Sequence, residues 1–444
     1  IMDMKKKLLL SMILLALCLI QASADTYYFK IQLSNADGTP GAWSNYIKVD
    51  AVANGTDGNG KTKYKYPNGL RTLLNGGTVT VEDNENPEKT YTLPKNANNE
   101  VNLDRIYGIA FANEKGKGNS AQQNIMEGDE YEAWKEIRGR IKYLRLRDYI
   151  RDSYNDNSYF MYMDNVVELE LPKYGMNVGS EADDGKWYFA NAHKLNKITI
   201  WSDAEGDAVD ITNDAVTDIT NKKLLNIVGK LMFANCWALS TKYINRLIKD
   251  VTEIKDNAFF ADDDNRKFLS DEADNKMAIE IPNSVTKIGH QAFYNRLKVT
   301  GLNIHGNGCL EIGSEAFRQC DELATITLDN ITQDKKKLKI YKNAFMRCKQ
   351  LNAFENMNNA NITYLETGVF GDCRSMTNKF VNDVLQNYAN NKGTKIPAYL
   401  FFGCNGQDGH DGSEANKNKC SFTDLNIPAQ FTEIGDGAFA STGD

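Results

Sequence analysis

The chain has 444 residues, 41% of them hydrophobic and 25% charged, a globular composition that excludes disorder along the whole length. A formal net charge of -7 and only four histidines (His193, His290, His305, His410) leave no basic footprint for a phosphate backbone, which excludes nucleic acid as an expected partner.

The first element in chain order is a targeting signal. Lys5, Lys6 and Lys7 precede an apolar run from Leu8 to Ile20, interrupted only by Ser11, and Ala22-Ser23-Ala24 has the small residues of a cleavage site. Removal after Ala24 is expected. The run is shorter than the roughly 20 residues a bilayer span requires, so no transmembrane helix is expected in the mature chain, and the localisation expected is secreted or cell surface. Leu17 is too bulky a neighbour for lipid attachment at Cys18.

Residues 25–105 alternate turn-rich polar stretches, such as Asn54 to Lys61, with strand-like TYYFKIQL, NYIKV, TVTVED and KTYTL. That pattern predicts a small β-rich N-terminal domain. Residues 106–158 read as a helical linker or N-terminal cap, because Trp134, Ile137, Ile141 and Leu144 recur at spacings of three and four between Ser120 and Tyr154. The IKYLRL end of this stretch reads alternatively as a strand.

Residues 159–444 are a repeat array. Phe317 is followed at three, six, nine and eleven residues by Cys320, Leu323, Ile326 and Leu328. The same offsets follow Phe160 (Met163, Val166, Leu169, Leu171), Phe189 (Ala192, Leu195, Ile198, Ile200) and Phe293 (Arg296, Val299, Leu302, Ile304). Phe233, Phe259, Phe345, Phe370, Phe401 and Phe439 head partial copies, each closing an IxxxxF-like segment. The three-residue spacings predict a tight helical turn, and the nine and eleven positions a short strand with one buried face. Proline follows the strand in ELELP (Pro172), IEIP (Pro282) and LNIP (Pro428). The fold class is therefore an α/β repeat solenoid, with each coil covering the apolar edge of its neighbour. Two coils depart together: FANCWALSTKYINRLI from Phe233 and FGDCRSMTNKFVNDVL from Phe370 share aligned positions including Asn245 and Asn382, and predict an amphipathic helix where the strand would begin.

The segments IGSEAFRQCDEL, SVTKIGHQAF and FTEIGDGAF resemble the BspA-like leucine-rich repeats of bacterial surface proteins. The resemblance covers about Phe160 to Asp444 and implies a right-handed solenoid with a parallel strand ladder on one face. It also implies secretion and adhesion to host matrix proteins such as fibronectin or fibrinogen, or to other cells. Long insertions between repeats depart from the family pattern. The chain opens with Ile1 before Met2 and stops at Asp444 inside a repeat, which reads as a gene fragment truncated at its C-terminus.

Seven cysteines follow the signal segment. Cys236, Cys320, Cys348, Cys373 and Cys404 all sit three residues after the repeat phenylalanine, where other copies hold Met163 or Ala192. That interchange predicts a buried packing slot ahead of a disulfide or metal ladder; Cys404 and Cys420 are the pair expected if any forms. The acidic runs Asp262 to Asn265 and Asp408 to Glu414 lack calcium-loop spacing and are expected to be solvated insertions. No zinc spacing, nucleophile elbow or phosphate-cradling glycine loop is present, so no catalytic residue, metal or cofactor is expected. Function is instead expected from outward strand positions presented in a row to a protein partner: Glu170, Trp201, Glu280, Asn303, His305, Thr327, Asp329 and Asn426. The alternatives are a secreted polysaccharide-acting enzyme housed between Asp25 and Tyr154, or a structural spacer.

Overall fold

The computed structural model describes residues 26–440 except 51, 57, 59, 61, 84, 113–128, 147–159, 177–187, 263–276, 332–333, 405–421 and 423. The segment expected to be a signal peptide lies outside the described residues, as do Cys420 and the acidic runs apart from Asp262. The chain divides into two compact units, Ile1–Arg151 and Asp152–Asp444. Among the described residues no helix is long and apolar enough to cross a membrane.

The first unit contains strands β1 (Thr26–Ser34), β2 (Pro40–Trp43), β3 (Ile47–Asp50), β4 (Val52–Thr56), β5 (Thr62–Lys65), β6 (Val79–Thr80), β7 (Thr90–Tyr91), β8 (Ile106–Ala112) and β9 (Tyr143–Arg145). Its helices are α1 (Leu70–Leu74) and α2 (Asp129–Arg138). β1 pairs antiparallel with β8 on one edge and with β2 and β3 on the other, and β9 joins β8 in parallel. Phe29, Ile31, Ile109 and Phe111 are buried, and Trp134 from α2 meets Phe111 edge-on at 5.4 Å. The four expected strands correspond to β1, β3, β6 and β7, whereas β2, β5 and β8 were not among them and β4 runs into the stretch from Asn54 to Lys61 expected to be turn. The expected helical linker does not begin at residue 106: Ile106–Ala112 is a sheet strand, and this unit runs on to Arg151. The described helix is also shorter than Ser120–Tyr154, because buried Ile141 and Leu144 continue into β9.

The second unit is a coil array. Its strands are β10 (Glu168–Leu171), β11 (Lys197–Ser202), β12 (Asp207–Asp210), β13 (Glu253–Ile254), β14 (Ala278–Ile281), β15 (Lys287–Ile288), β16 (Gly301–His305) and β17 (Cys309–Ile312), then β18 (Thr325–Asp329), β19 (Lys336–Ile340), β20 (Ala353–Glu355), β21 (Ala360–Leu365), β22 (Lys395–Ile396) and β23 (Glu433–Ile434). Its helices are α3 (Thr217–Thr220), α4 (Thr241–Ile248) and α5 (Asn378–Asn390). The positions nine and eleven after Phe293 and Phe317 lie on β16 and β18 of the parallel ladder β14-β16-β18-β20, and those after Phe160 and Phe189 lie on β10 and β11, which pair in parallel with each other. A single ladder was expected, but a second, β13-β15-β17-β19-β21, is built from the residues that precede each phenylalanine. Its buried members include Ile288, Ile312 and Ile340, the first residues of the IxxxxF segments. Leu425–Pro428 lies in no strand, contrary to expectation for LNIP.

Between the ladders the chain makes a tight turn instead of a regular α-helix. The N–H of Cys320 donates to Phe317 O (3.2 Å) and that of Leu323 to Cys320 O (3.1 Å), the i to i+3 pattern of a tight turn. Left-handed residues recur two before and two after the phenylalanine: Asn257, Gln291 and Asn295, Glu315 and Gln319, Asn343 and Arg347. This alternation turns backbone N–H groups toward the next coil, as in Phe293 N to Ala316 O, Phe317 N to Ala344 O and Gln319 N to Met346 O (2.8, 2.8 and 2.9 Å). Gly313 shows how closely the coils approach, since a Cβ there would lie 2.7 Å from Ile288 O and Gly289 C.

All ten repeat phenylalanines form one continuous column. From Phe160 through Phe189, Phe233, Phe259, Phe293, Phe317, Phe345, Phe370 and Phe401 to Phe439, successive ring centroids are 5.0 to 6.2 Å apart. Such offset-stacked rings add to the large apolar area that each buries.

Candidate functional site

The ladder β14-β16-β18 presents a regular outward face. Ile279, Ile281, Leu302, Ile304, Ile326 and Leu328 are buried, and strand alternation turns Glu280, Asn303, His305, Thr327 and Asp329 to the other side, where each is half-buried. The parallel register sets Glu280 beside Asn303 and Thr327, and His305 beside Asp329. His305 is clamped: Nε2 meets Glu280 Oε2 at 2.7 Å, and Nδ1 meets Asp329 Oδ1. Asn303 Nδ2 donates to the other Glu280 oxygen (2.9 Å), and Asn330 Nδ2 donates to Asp329 Oδ1 (3.1 Å). Half-exposed ion pairs of this kind contribute at most about 1 kcal/mol each. Their effect is to fix the orientation of a polar surface spanning three coils.

The other three expected positions do not join this row. Glu170 on β10 is fully buried, so it offers no surface. Trp201 is on β11, whose further edge is taken by antiparallel β12 instead of the next coil, and its indole N–H donates to Asp203 (3.0 Å). Asn426 is exposed but lies beyond α5, with its N–H donating to Asn382 Oδ1 (2.8 Å).

The row breaks where the helical coils stand, and both expected helices are present. Asn245 on α4 donates from Nδ2 to Ala278 O (2.8 Å) and accepts from Glu280 N at Oδ1 (3.0 Å). One side-chain amide thus makes the two bonds that a neighbouring parallel strand would make to β14. Asn382 on α5 repeats the arrangement with Asp424 O (2.9 Å) and Asn426 N, which is why Leu425–Pro428 needs no strand partner. Asn387, one turn further along α5, does the same for Ala360 O and Ile362 N (both 2.9 Å) on β21. The shared Asn245 and Asn382 were visible in the sequence as an aligned pair; their role as strand substitutes was not.

The cysteine slot is structural. Cys236, Cys320, Cys348, Cys373 and Cys404 are buried free thiols, and each donates to the carbonyl of the preceding repeat phenylalanine, Phe189, Phe293, Phe317, Phe345 and Phe370, at 2.9 to 3.3 Å. Burial pushes the Cys236 and Cys320 thiols up to about 12. Arg296 occupies the same slot and donates across an intervening coil to Cys236 O (3.2 Å), with burial lowering its guanidinium to about 10. Among the described residues no group of histidine, cysteine and carboxylate side chains is arranged to hold a metal ion.

In the first unit the most buried carboxylate, Glu130, accepts from Leu70 N (2.6 Å), Arg71 N (2.9 Å) and the Tyr27 hydroxyl. Burial raises its pKa, and those donors oppose the rise. Both oxygens accept from the first turn of α1.

The repeat unit also has counterparts elsewhere. The family described as BspA type leucine rich repeat region matches residues 155–265, 271–406 and 412–443, in six copies. Among solved structures, a leucine-rich repeat protein from Bacteroides ovatus is 17% identical over 66% of this chain and 68% of its own, with a TM-score of 0.34. The T. pallidum leucine rich repeat protein TpLRR is 17% identical over 67% of this chain and 93% of its own, with a TM-score of 0.30. No curated protein matches the chain.

Proposed function

The chain belongs to the BspA-type leucine-rich-repeat family, whose repeats are protein-binding scaffolds, and from that premise we propose that it is a secreted or surface-displayed adhesin. Its partner is a host matrix protein such as fibronectin or fibrinogen, or a protein on another cell. The observation that carries this reading is the three-coil face in which Glu280, Asn303, His305, Thr327 and Asp329 are held by one another on in-register strands. A rigid polar surface loses little side-chain freedom when a large partner covers it, and a few of its residues would supply most of the affinity. The basic and apolar run from Lys5 to Ala24 supports export.

The test is binding of the full chain to immobilised fibronectin and fibrinogen, and to host and bacterial cells. Saturable binding is expected, and Thr327→Arg, which places a long charged side chain on the face without touching the phenylalanine column, should weaken it at least tenfold. Absence of saturable binding to all of these targets, or an unaltered affinity in the Thr327→Arg protein, overturns the proposal.

A further inference from the structure

A groove of about 730 Å3 lies at the last strand of the first ladder, between β20 and α5. One wall is the run from Asn352 to Asn358, and the other is the face of α5 carrying Thr377, Asp383 and Gln386. The ladder register fixes which backbone groups point into it. The N–H of Ala353 donates to Ala324 O (3.3 Å), and Thr325, Ile326 and Thr327 stand opposite Ala353, Phe354 and Glu355. Ala353 and Glu355 therefore turn their backbone groups toward β18, and Phe354 turns its N–H and C=O the other way, toward α5.

The other ladder edges that meet a helix are closed. Asn245 closes β14 and Asn387 closes β21, each with one amide making two bonds. No described residue makes the equivalent pair of bonds to Phe354; the nearest approach is the Thr377 hydroxyl, which donates to Asn352 O (3.2 Å). The ring of Phe354 packs inward at 6.2 Å from that of Phe380, so only its backbone remains toward the groove. An unpaired N–H and C=O on a strand edge is a template for another extended chain.

We propose that this groove takes an extended peptide segment of a partner protein, which adds to β20 as the next parallel strand of the ladder. The occupant is recognised by its backbone: the residue before the one opposite Phe354 supplies a carbonyl to the Phe354 N–H, and the residue after it donates its N–H to the Phe354 carbonyl, as parallel strand addition requires. The lining combines the amides of Asn352, Asn356 and Gln386 with apolar Met357 and Phe380, which suits a strand with one polar and one apolar face. The groove adjoins the His305 face, since Glu355 in its wall is in register with Thr327 and accepts from its hydroxyl (3.4 Å), but the inference does not depend on the adhesin reading.

The probe is a fluorescent synthetic peptide copying residues 323–331, LATITLDNI, the segment that already forms a strand of this ladder. With the full chain, saturable binding is expected, accompanied by at least tenfold slower hydrogen exchange at the Phe354 amide. Peptides N-methylated at alternate residues should split into two sets, one losing binding at least tenfold and the other retaining it, because only every second N–H faces β20. Gln386→Trp, which fills the groove from the exposed side of α5, should abolish peptide binding and leave fibronectin or fibrinogen binding unchanged. No binding by the peptide, equal tolerance of both N-methylated sets, or a Phe354 amide already protected in the free protein overturns the proposal.

Discussion

Replacing Asn245 with alanine removes two hydrogen bonds from the strand edge and no apolar packing. Nδ2 to Ala278 O is 2.8 Å and Glu280 N to Oδ1 is 3.0 Å. At a net 0.5 to 1.5 kcal/mol per bond the loss is about 1 to 3 kcal/mol. The backbone of α4 is committed to its own helix and cannot supply substitutes. Coils of an array open locally, so the readout belongs at the site: native-state hydrogen exchange at the Glu280 amide should accelerate about 5- to 150-fold, one decade per 1.4 kcal/mol. Asn245→Asp keeps the size and the acceptor for Glu280 but sets a second carboxylate oxygen against Ala278 O, and should be at least as damaging as alanine. Unchanged exchange in the alanine variant, or wild-type behaviour of the isosteric aspartate variant, would refute the view that the amide stands in for a strand.

Phe317→Ala removes a ring stacked 5.0 Å from Phe293 and 5.5 Å from Phe345 and should cost about 3 to 5 kcal/mol, read as a lowered urea midpoint; a near-wild-type midpoint would contradict its place in the column. Stability should also fall at alkaline pH. The buried Cys320 thiol is raised from an ordinary 9.0 to about 12, so its contribution is fully present below pH 9 and is lost as pH rises toward 12. Urea midpoints compared at pH 7 and 10.5 should show the decline, and Cys320→Ala should reduce it.

The column of phenylalanines was legible in the sequence because four of them carry the full set of downstream apolar spacings and the other six close IxxxxF-like segments. The cysteine slot was legible for a related reason: Met163 and Ala192 fill it elsewhere, which marks volume and not sulfur chemistry. The second ladder was not. Its β13 and β15, like β22 and β23 of the separate last pair, are two residues long, too short for alternation to show, and only the leading isoleucine of IxxxxF hinted at them. A signal for the turns was available in the asparagines and glycines two positions from several phenylalanines, Asn257, Asn295, Asn343, Gly368 and Gly403, since these tolerate a left-handed backbone, whereas Glu315 and Arg347 gave none. The outward row was overextended because strand periodicity says which side a residue takes but not whether the next coil supplies a strand. β12, α4 and α5 each interrupt it, leaving five of the eight candidates together.

The aromatic column passes through both helical coils while the strand ladders start and stop around them. Coil-to-coil bonds, whether from a strand, a turn N–H, a thiol or an asparagine amide, run along the stacking direction. Tension applied lengthwise therefore peels coils away in sequence instead of shearing many bonds at once. A coil such as the 24 residues from Phe293 to Phe317 would release about 80 Å of slack at 3.3 to 3.6 Å per extended residue. Under such a pull the array is expected to lengthen in steps of one coil.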